Sequence, residues 1–295
     1  MNWKICLKFY YNYILIERNL SQNSIEAYMR DLQQFAKFNK KIKPLNIKRE
    51  DILNYINAIN KNNINPRSQA RILSSIKSLY NFLIFDNQLK EDPCKHIKSP
   101  KIGSKIPEIL TVQEVDLIIA CIDLSKELGE RNRAIIECLY SCGLRVSELI
   151  SLKISNIEYD DNIIKVIGKG NKQRIIPLSK TLKKYLQNYI QHIRSKQKPN
   201  KENVDIVFLN RRNKQMSRVM IFNIIKQQTS LAGIKKNVSP HTLRHSFATH
   251  LVEGGADLRV VQEMLGHANI TTTEIYTHLN NQYLREEIIN YHPRS

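Results

Sequence analysis

The sequence predicts a mainly α protein with a small antiparallel β-sheet, divided into two domains. Three observations lead there. Apolar residues recur at helical spacing through most of the 295 residues. The rhythm changes only in two short β-branched runs, NIIKVIG and RIIPL, which flank GKGNKQ. Between Lys90 and Pro107 it dissolves altogether, into a stretch holding Pro93, Pro100, Pro107, Gly103 and several lysines.

The first domain is expected over 1–90. Residues 2–17 are rich in apolar side chains. In LSQNSIEAYMRDLQQFAKF, residues Ile25, Tyr28, Met29, Leu32 and Phe35 share one helical face behind a Ser21 or Asn23 cap. REDILNYINAIN and SQARILSSIKSLYNFLIF repeat the rhythm, the latter after Pro66. Four or five helices therefore end near Phe85. Residues 91–107 are expected to be a basic linker.

The second domain is expected over 108–295. Thr111 and Glu114 have capping-box spacing and open a helix. RNRAIIECLYSC forms another that stops at Gly143 and delivers Arg145. The two β-branched runs make a hairpin whose turn holds Gly168, Lys169 and Gly170. Helices resume at about Ser179 and at Ser217. Ser239 and Pro240 read as N-cap and first residue of a helix that places His241 and Arg244 on one face. Gly254 and Gly255 can end it, Asp257 can cap LRVVQEML, and Gly266 closes that helix just before His267. Thr271 and Glu274 would start a third short helix bearing Tyr276. In the last amphipathic segment, QYLREEIINY, Leu284, Ile288 and Tyr291 fall on one stripe, enough for a docking face.

Charge narrows the function. The chain carries 46 Lys+Arg against 27 Asp+Glu, a formal +19, with a pI near 9.7. Residues 1–105 contribute +11 and residues 106–295 contribute +8, so both parts suit one long polyanion. No apolar stretch approaches a membrane span and no signal peptide is visible, so a cytoplasmic protein is expected. The five cysteines lack a disulfide spacing. Cys138, Cys142, His241 and His245 could be drawn as a zinc set, but both pairs lie within helices, far from a finger's spacing. No metal and no cofactor is expected.

Metal-free phosphodiester cleavage needs a nucleophile, cations on the non-bridging oxygens and an acid for the leaving alcohol. Arginine suits the second task, because its planar fork stays charged and grips two oxygens. Arg145 and Arg244 are the candidates, supported by His267. His241 can hydrogen-bond the phosphate or exchange a proton with the nucleophile. A phenol with a pKa of about 10 needs nearby cations or a base to attack at neutral pH. Lys169, in its turn, is placed to reach a leaving 5′-oxygen, or serves solubility alone, and Lys172 competes with it.

The blocks GLRVSELISL, HTLRHSFATH and LGHANITTTEIYTH resemble the tyrosine recombinase (phage integrase) family, and within it the bacterial Xer recombinases that resolve chromosome dimers. Three blocks in order, within a similarity spanning nearly the whole chain, make the resemblance specific. It implies a two-domain C-shaped clamp around duplex DNA, its N-terminal helical domain opposite the catalytic one. It implies Tyr276 as attacking residue among thirteen tyrosines, Lys169 as general acid, and Arg145, His241, Arg244 and His267 around the phosphate. Glu148 would orient its neighbours. The implied reaction is site-specific recombination through a 3′-phosphotyrosyl link and a Holliday junction. The implied assembly is a tetramer on two DNA sites, alone or with a second recombinase, with a DNA translocase as activator and the C-terminal helix passed to a neighbouring protomer. A chain this short should lack the separate arm-site domain of larger phage integrases. One departure is Asn156, where the family commonly has aspartate. A mobile-element integrase, a type IB topoisomerase and a non-catalytic architectural DNA binder are the alternatives.

Overall fold

The computed structural model describes residues 1–18, 20–62, 64–100, 108–168, 173–266 and 281–294. They form two compact units, Met1–Lys105 and Ile106–Ser295.

The first unit is helical. It comprises α1 (Trp3–Ile16), α2 (Gln22–Phe38), α3 (Arg49–Lys61) and α4 (Pro66–Phe85). Ser21 caps α2, accepting from the Ser24 N–H, while Asn65 caps α4 ahead of Pro66. Ile25, Leu32 and Phe35 of α2 are buried, and Tyr28 and Met29 pack at the margin. They meet Ile72, Ile76, Leu79 and Leu83 of α4 in one core. A carboxylate also lies inside: Asp31 is 2% exposed, pairs with Arg71 and accepts the Ser75 hydroxyl at 3.0 Å. The core reaches beyond α4. Cys94 and Ile97, in the stretch expected to be linker, are buried in it, and Lys77 Nζ donates to the Ile97 carbonyl at 2.7 Å.

The second unit opens with α5 (Val112–Ala120) behind a Thr111–Glu114 capping box, whose two bonds measure 2.8 and 3.2 Å. Next comes α6 (Gly129–Ser141), buried over nearly its whole circumference, the mark of a helix enclosed by others. After α7 (Val146–Ile150), strands β1 (Ile157–Glu158), β2 (Ile163–Ile167) and β3 (Gln173–Pro177) form an antiparallel sheet in that order. In the expected hairpin Val166 faces Arg174 and Ile167 faces Gln173. Serines 179 and 217 cap α8 (Lys180–His192) and α9 (Arg218–Leu231). Then follow α10 (Pro240–Gly254), α11 (Leu258–Leu265) and α12 (Asn281–Tyr291). The short helix expected around Tyr276 lies outside the described residues.

The stripe on α12 packs on its own unit, the alternative to docking on a neighbouring protomer that the same pattern allows. Leu284 and Ile288 belong to the core of their own unit, and Tyr291 packs against it. Glu287 accepts the Asp257 N–H at 2.9 Å, and Gly254 sits against Tyr291 so closely that a Cβ there would lie 2.6 Å from the Tyr291 carbonyl oxygen. Beyond the helix, His292 is buried beside Tyr140 and Phe247, and Arg294 pairs with Asp116 at 2.6 Å. In this structure the apolar face is therefore satisfied within the chain.

Candidate active site

Four local features bring the site together. Gly143 ends the α6 turn with φ +55°, which turns the chain into α7 and leaves Arg145 as its N-cap residue. Ser239 and Pro240 start α10, which carries His241 exposed on its first turn and Arg244 buried one turn further on. Asp257 caps α11, accepting from the Arg259 N–H at 2.7 Å, and Gly266 closes it with φ +64°. Strand β3 lays Arg174 against the same end of α11.

Three arginines converge there. Arg174 Nε donates to the Met264 carbonyl at 2.6 Å, Arg244 Nη2 to the Leu265 carbonyl, and Arg145 Nη2 to the Gly266 carbonyl at 2.9 Å. Consecutive carbonyls at a helix C-terminus are unpaired within the helix and carry its negative dipole end, so they attract cations. Arg244 is held from a second side by the Gly143 carbonyl, 2.6 Å from Nη1.

Glu148 stands between the arginines. It accepts the Arg145 backbone N–H at 2.7 Å and Arg145 Nη1 at 2.8 Å, closing the first turn of α7. Arg174 grips both its oxygens, each at 2.8 Å, and Arg244 Nη1 stands 3.9 Å away. Burial alone would raise the Glu148 carboxyl. Arg174, then Arg145, outweigh it and hold it below the usual carboxylate value.

Three guanidinium groups around one carboxylate leave the cluster two positive charges in excess. Burial, then Arg145, lower Arg244 to about 10, still charged at neutral pH. Although its ring reaches solvent, desolvation on the side facing the protein, then His245, Arg244 and Arg145, lower His241 too, so its imidazole favours the neutral form. A cationic cluster with a neutral imidazole at its edge can bind a phosphodiester and accept a proton.

Arg145, His241 and Arg244 thus meet at one place. Lys169, between β2 and β3, His267, directly after Gly266, and Tyr276 lie outside the described residues. Arg174 was not singled out in the sequence, where a lone arginine in a β-run resembles a solvent-facing alternate. Its signal was the neighbouring turn, five residues before it. Cys138 and Cys142 are fully buried in the core, where burial pushes both thiols up. Among the described residues, no three His, Cys, Asp or Glu side chains cluster as metal ligands. No described helix is long and apolar enough to cross a membrane. Next to Asn156, Asp205 accepts the Ser155 N–H at 3.0 Å and its hydroxyl at 2.8 Å.

Fold and site together are those of the phage integrase family, to which this chain belongs: residues 108–283 match that family and residues 7–87 its N-terminal SAM-like domain. Within the family it is a Xer-type tyrosine recombinase, a DNA strand-transferring enzyme. It is 41% identical to tyrosine recombinase XerD of Listeria monocytogenes over 288 residues, covering 96% of this chain and 97% of that one. Among solved structures, XerA recombinase is 33% identical, with a TM-score of 0.52 and complete coverage of both chains. XerH, solved bound to difH substrate in a pre-cleavage complex, is 26% identical with a TM-score of 0.68, over 91% of this chain and 80% of that one.

Proposed function

We propose that Tyr276 attacks a phosphodiester held by Arg145 and Arg244 and thereby recombines a specific chromosomal site. One observation supports this above the others: the two surplus positive charges at the end of α11. A pentacoordinate phosphorane carries about that much negative charge, so the cluster favours the transition state over the singly charged substrate. Each of the two arginines uses two of its five N–H groups on described partners, leaving the others for phosphate oxygens.

In the reaction the bond from Tyr276 oxygen to phosphorus forms as the bond from phosphorus to the 5′-oxygen breaks. His241 takes the phenolic proton, Lys169 gives one to the departing 5′-oxygen, and His267 adds a hydrogen bond to the phosphate. The 3′-phosphotyrosyl ester keeps the energy of the broken bond, so a 5′-hydroxyl from a partner duplex reverses the step without ATP. Repeated on two strands, this passes through a Holliday junction.

The first unit, with Cys94 and Ile97 packed into its core, would form the core-DNA-binding domain, the rest of the stretch up to residue 107 the connection, and 108–295 the catalytic domain. Both units are basic, as a shared duplex requires. The XerH relative, solved on its difH substrate, supports duplex DNA as the partner. Similarity to XerD supports resolution of chromosome dimers. The assembly would be a tetramer on two DNA sites, alone or with a second recombinase, acting in the cytoplasm.

The test is incubation with fragments of the source genome, followed by isolation and sequencing of covalent protein–DNA adducts. Adducts concentrated at one chromosomal site support the proposal. Adducts at the ends of a mobile element would replace it with an integrase role, and binding without adducts would leave an architectural protein.

A further inference from the structure

The geometry points to Arg174 as a positioning residue that aims Arg145 and fixes the end of α11, working through Glu148. The inference rests on the recombinase reading and adds a residue to its machinery.

Arg174 touches no position assigned to substrate. Its side chain is 10% exposed, and three of its N–H groups are engaged with protein: Nη1 and Nη2 with the two Glu148 oxygens at 2.8 Å each, Nε with the Met264 carbonyl at 2.6 Å. The two partners matter because of what else they hold. Glu148 sets Arg145 twice, through its backbone N–H and its Nη1. Met264 begins the run of carbonyls that Arg244 and Arg145 continue. One guanidinium therefore connects β3, α7 and the end of α11, and the next residue after that end is His267.

Chemistry explains why an arginine stands here. A carboxylate flanked only by Arg145 and Arg244 would draw both toward itself and away from a phosphate. The fork of Arg174 occupies both carboxylate oxygens in one plane, so each has a single remaining direction in which to accept from Arg145. A lysine supplies one point charge and cannot span both oxygens and the Met264 carbonyl together. The fit is close: a Cβ on Gly266 would lie 3.2 Å from Arg174 Cδ and 3.5 Å from Arg145 Nη1.

The experiment compares wild type, Arg174→Gln, Arg174→Lys, Arg145→Ala and the double variant Arg145→Ala/Arg174→Gln. The probe is a nicked duplex carrying the sequence recovered from genomic adducts. Binding, melting temperature and single-turnover cleavage are measured separately. The expected result is that both Arg174 variants bind within about threefold of wild type but cleave about tenfold or more slowly, the scale of a misplaced phosphate ligand. In the Arg145→Ala background the Arg174→Gln loss should shrink to about threefold or less, because the group it aims is gone. A second readout is pH. Glu148 is faced by Arg145 from α7, Arg174 from β3 and Arg244 from α10, so losing one of these cations should move the acid limb of cleavage to higher pH in Arg174→Gln.

Wild-type cleavage by either variant would overturn the proposal, as would a rate loss that multiplies in full onto Arg145→Ala. A loss that merely tracks weaker binding or a lower melting temperature would also overturn it, leaving a structural ion pair. Failure of the wild type itself to cleave would instead count against the recombinase reading.

Discussion

Gly143→Ala is a small change that should disturb both the core and the site. Gly143 has φ +55°, where an L side chain costs about 1–2 kcal/mol. An added Cβ would lie 2.5 Å from Phe247 Cδ1 and 2.9 Å from Cε1, and Phe247 is fully buried. Forcing a methyl into such a packed core costs a further ~1–3 kcal/mol. A central sum of about 3.5 kcal/mol should lower the melting temperature of a unit this size by about 7–14 °C. The Gly143 carbonyl also holds Arg244 at 2.6 Å, so relief of the clash by backbone movement would displace an arginine proposed to bind the phosphate. The assay is thermal melting by circular dichroism, with single-turnover cleavage measured well below the lowered midpoint. A variant that melts within about 1 °C of wild type and cleaves normally would refute the packing argument and the role given to this carbonyl.

Other outcomes follow from the same geometry. Arg145→Ala and Arg244→Ala should each slow cleavage by roughly 10²-fold or more while DNA binding persists, as read by adduct formation on a nicked substrate. Because arginines supply the positive charge, adducts should form undiminished in EDTA; loss under chelation, with binding intact and recovery on adding a divalent ion, would contradict the mechanism. Buried His292, lowered to about 3 by burial, then His250 and Arg294, is neutral in the fold. A depressed pKa stabilises above the unfolded value of about 6.5, and that stability is lost as pH falls toward the folded value. Melting temperature should therefore drop between pH 7 and 5, and drop less in His292→Phe, which keeps the ring contacts; equal drops would contradict this.

The elements whose cause is local were legible in the sequence. Thr111 with Glu114, Ser239 with Pro240, and Asp257 through Gly266 each mark a helix end by side chains that bond the neighbouring backbone, so a few residues suffice to predict them. The hairpin was legible for a similar reason, since β-branched runs flank one turn. What stayed hidden depends on distant chain. The α12 stripe announces an apolar face but not its partner, because burial by its own unit and by a neighbour need the same pattern. Cys94 and Ile97 are too sparse among lysines to show a period, yet two buried side chains are enough to bind that stretch to the first core. In the site, Arg145, His241 and Arg244 could be chosen as reactive types beside helix ends. Arg174 could not, since its meaning comes from a carboxylate 26 residues away and a carbonyl 90 residues away.

If one tyrosine oxygen carries the DNA strand, a trapped adduct will reveal which. A nicked suicide substrate lets the short 5′-ended fragment diffuse away, so the covalent complex accumulates and can be digested for mass spectrometry. The expected result is a single phosphotyrosyl peptide containing Tyr276 and no adduct from Tyr276→Phe, which removes one oxygen and should leave folding and binding nearly unchanged. A phosphotyrosyl peptide bearing any other residue, or an undiminished adduct in the phenylalanine variant, would contradict it.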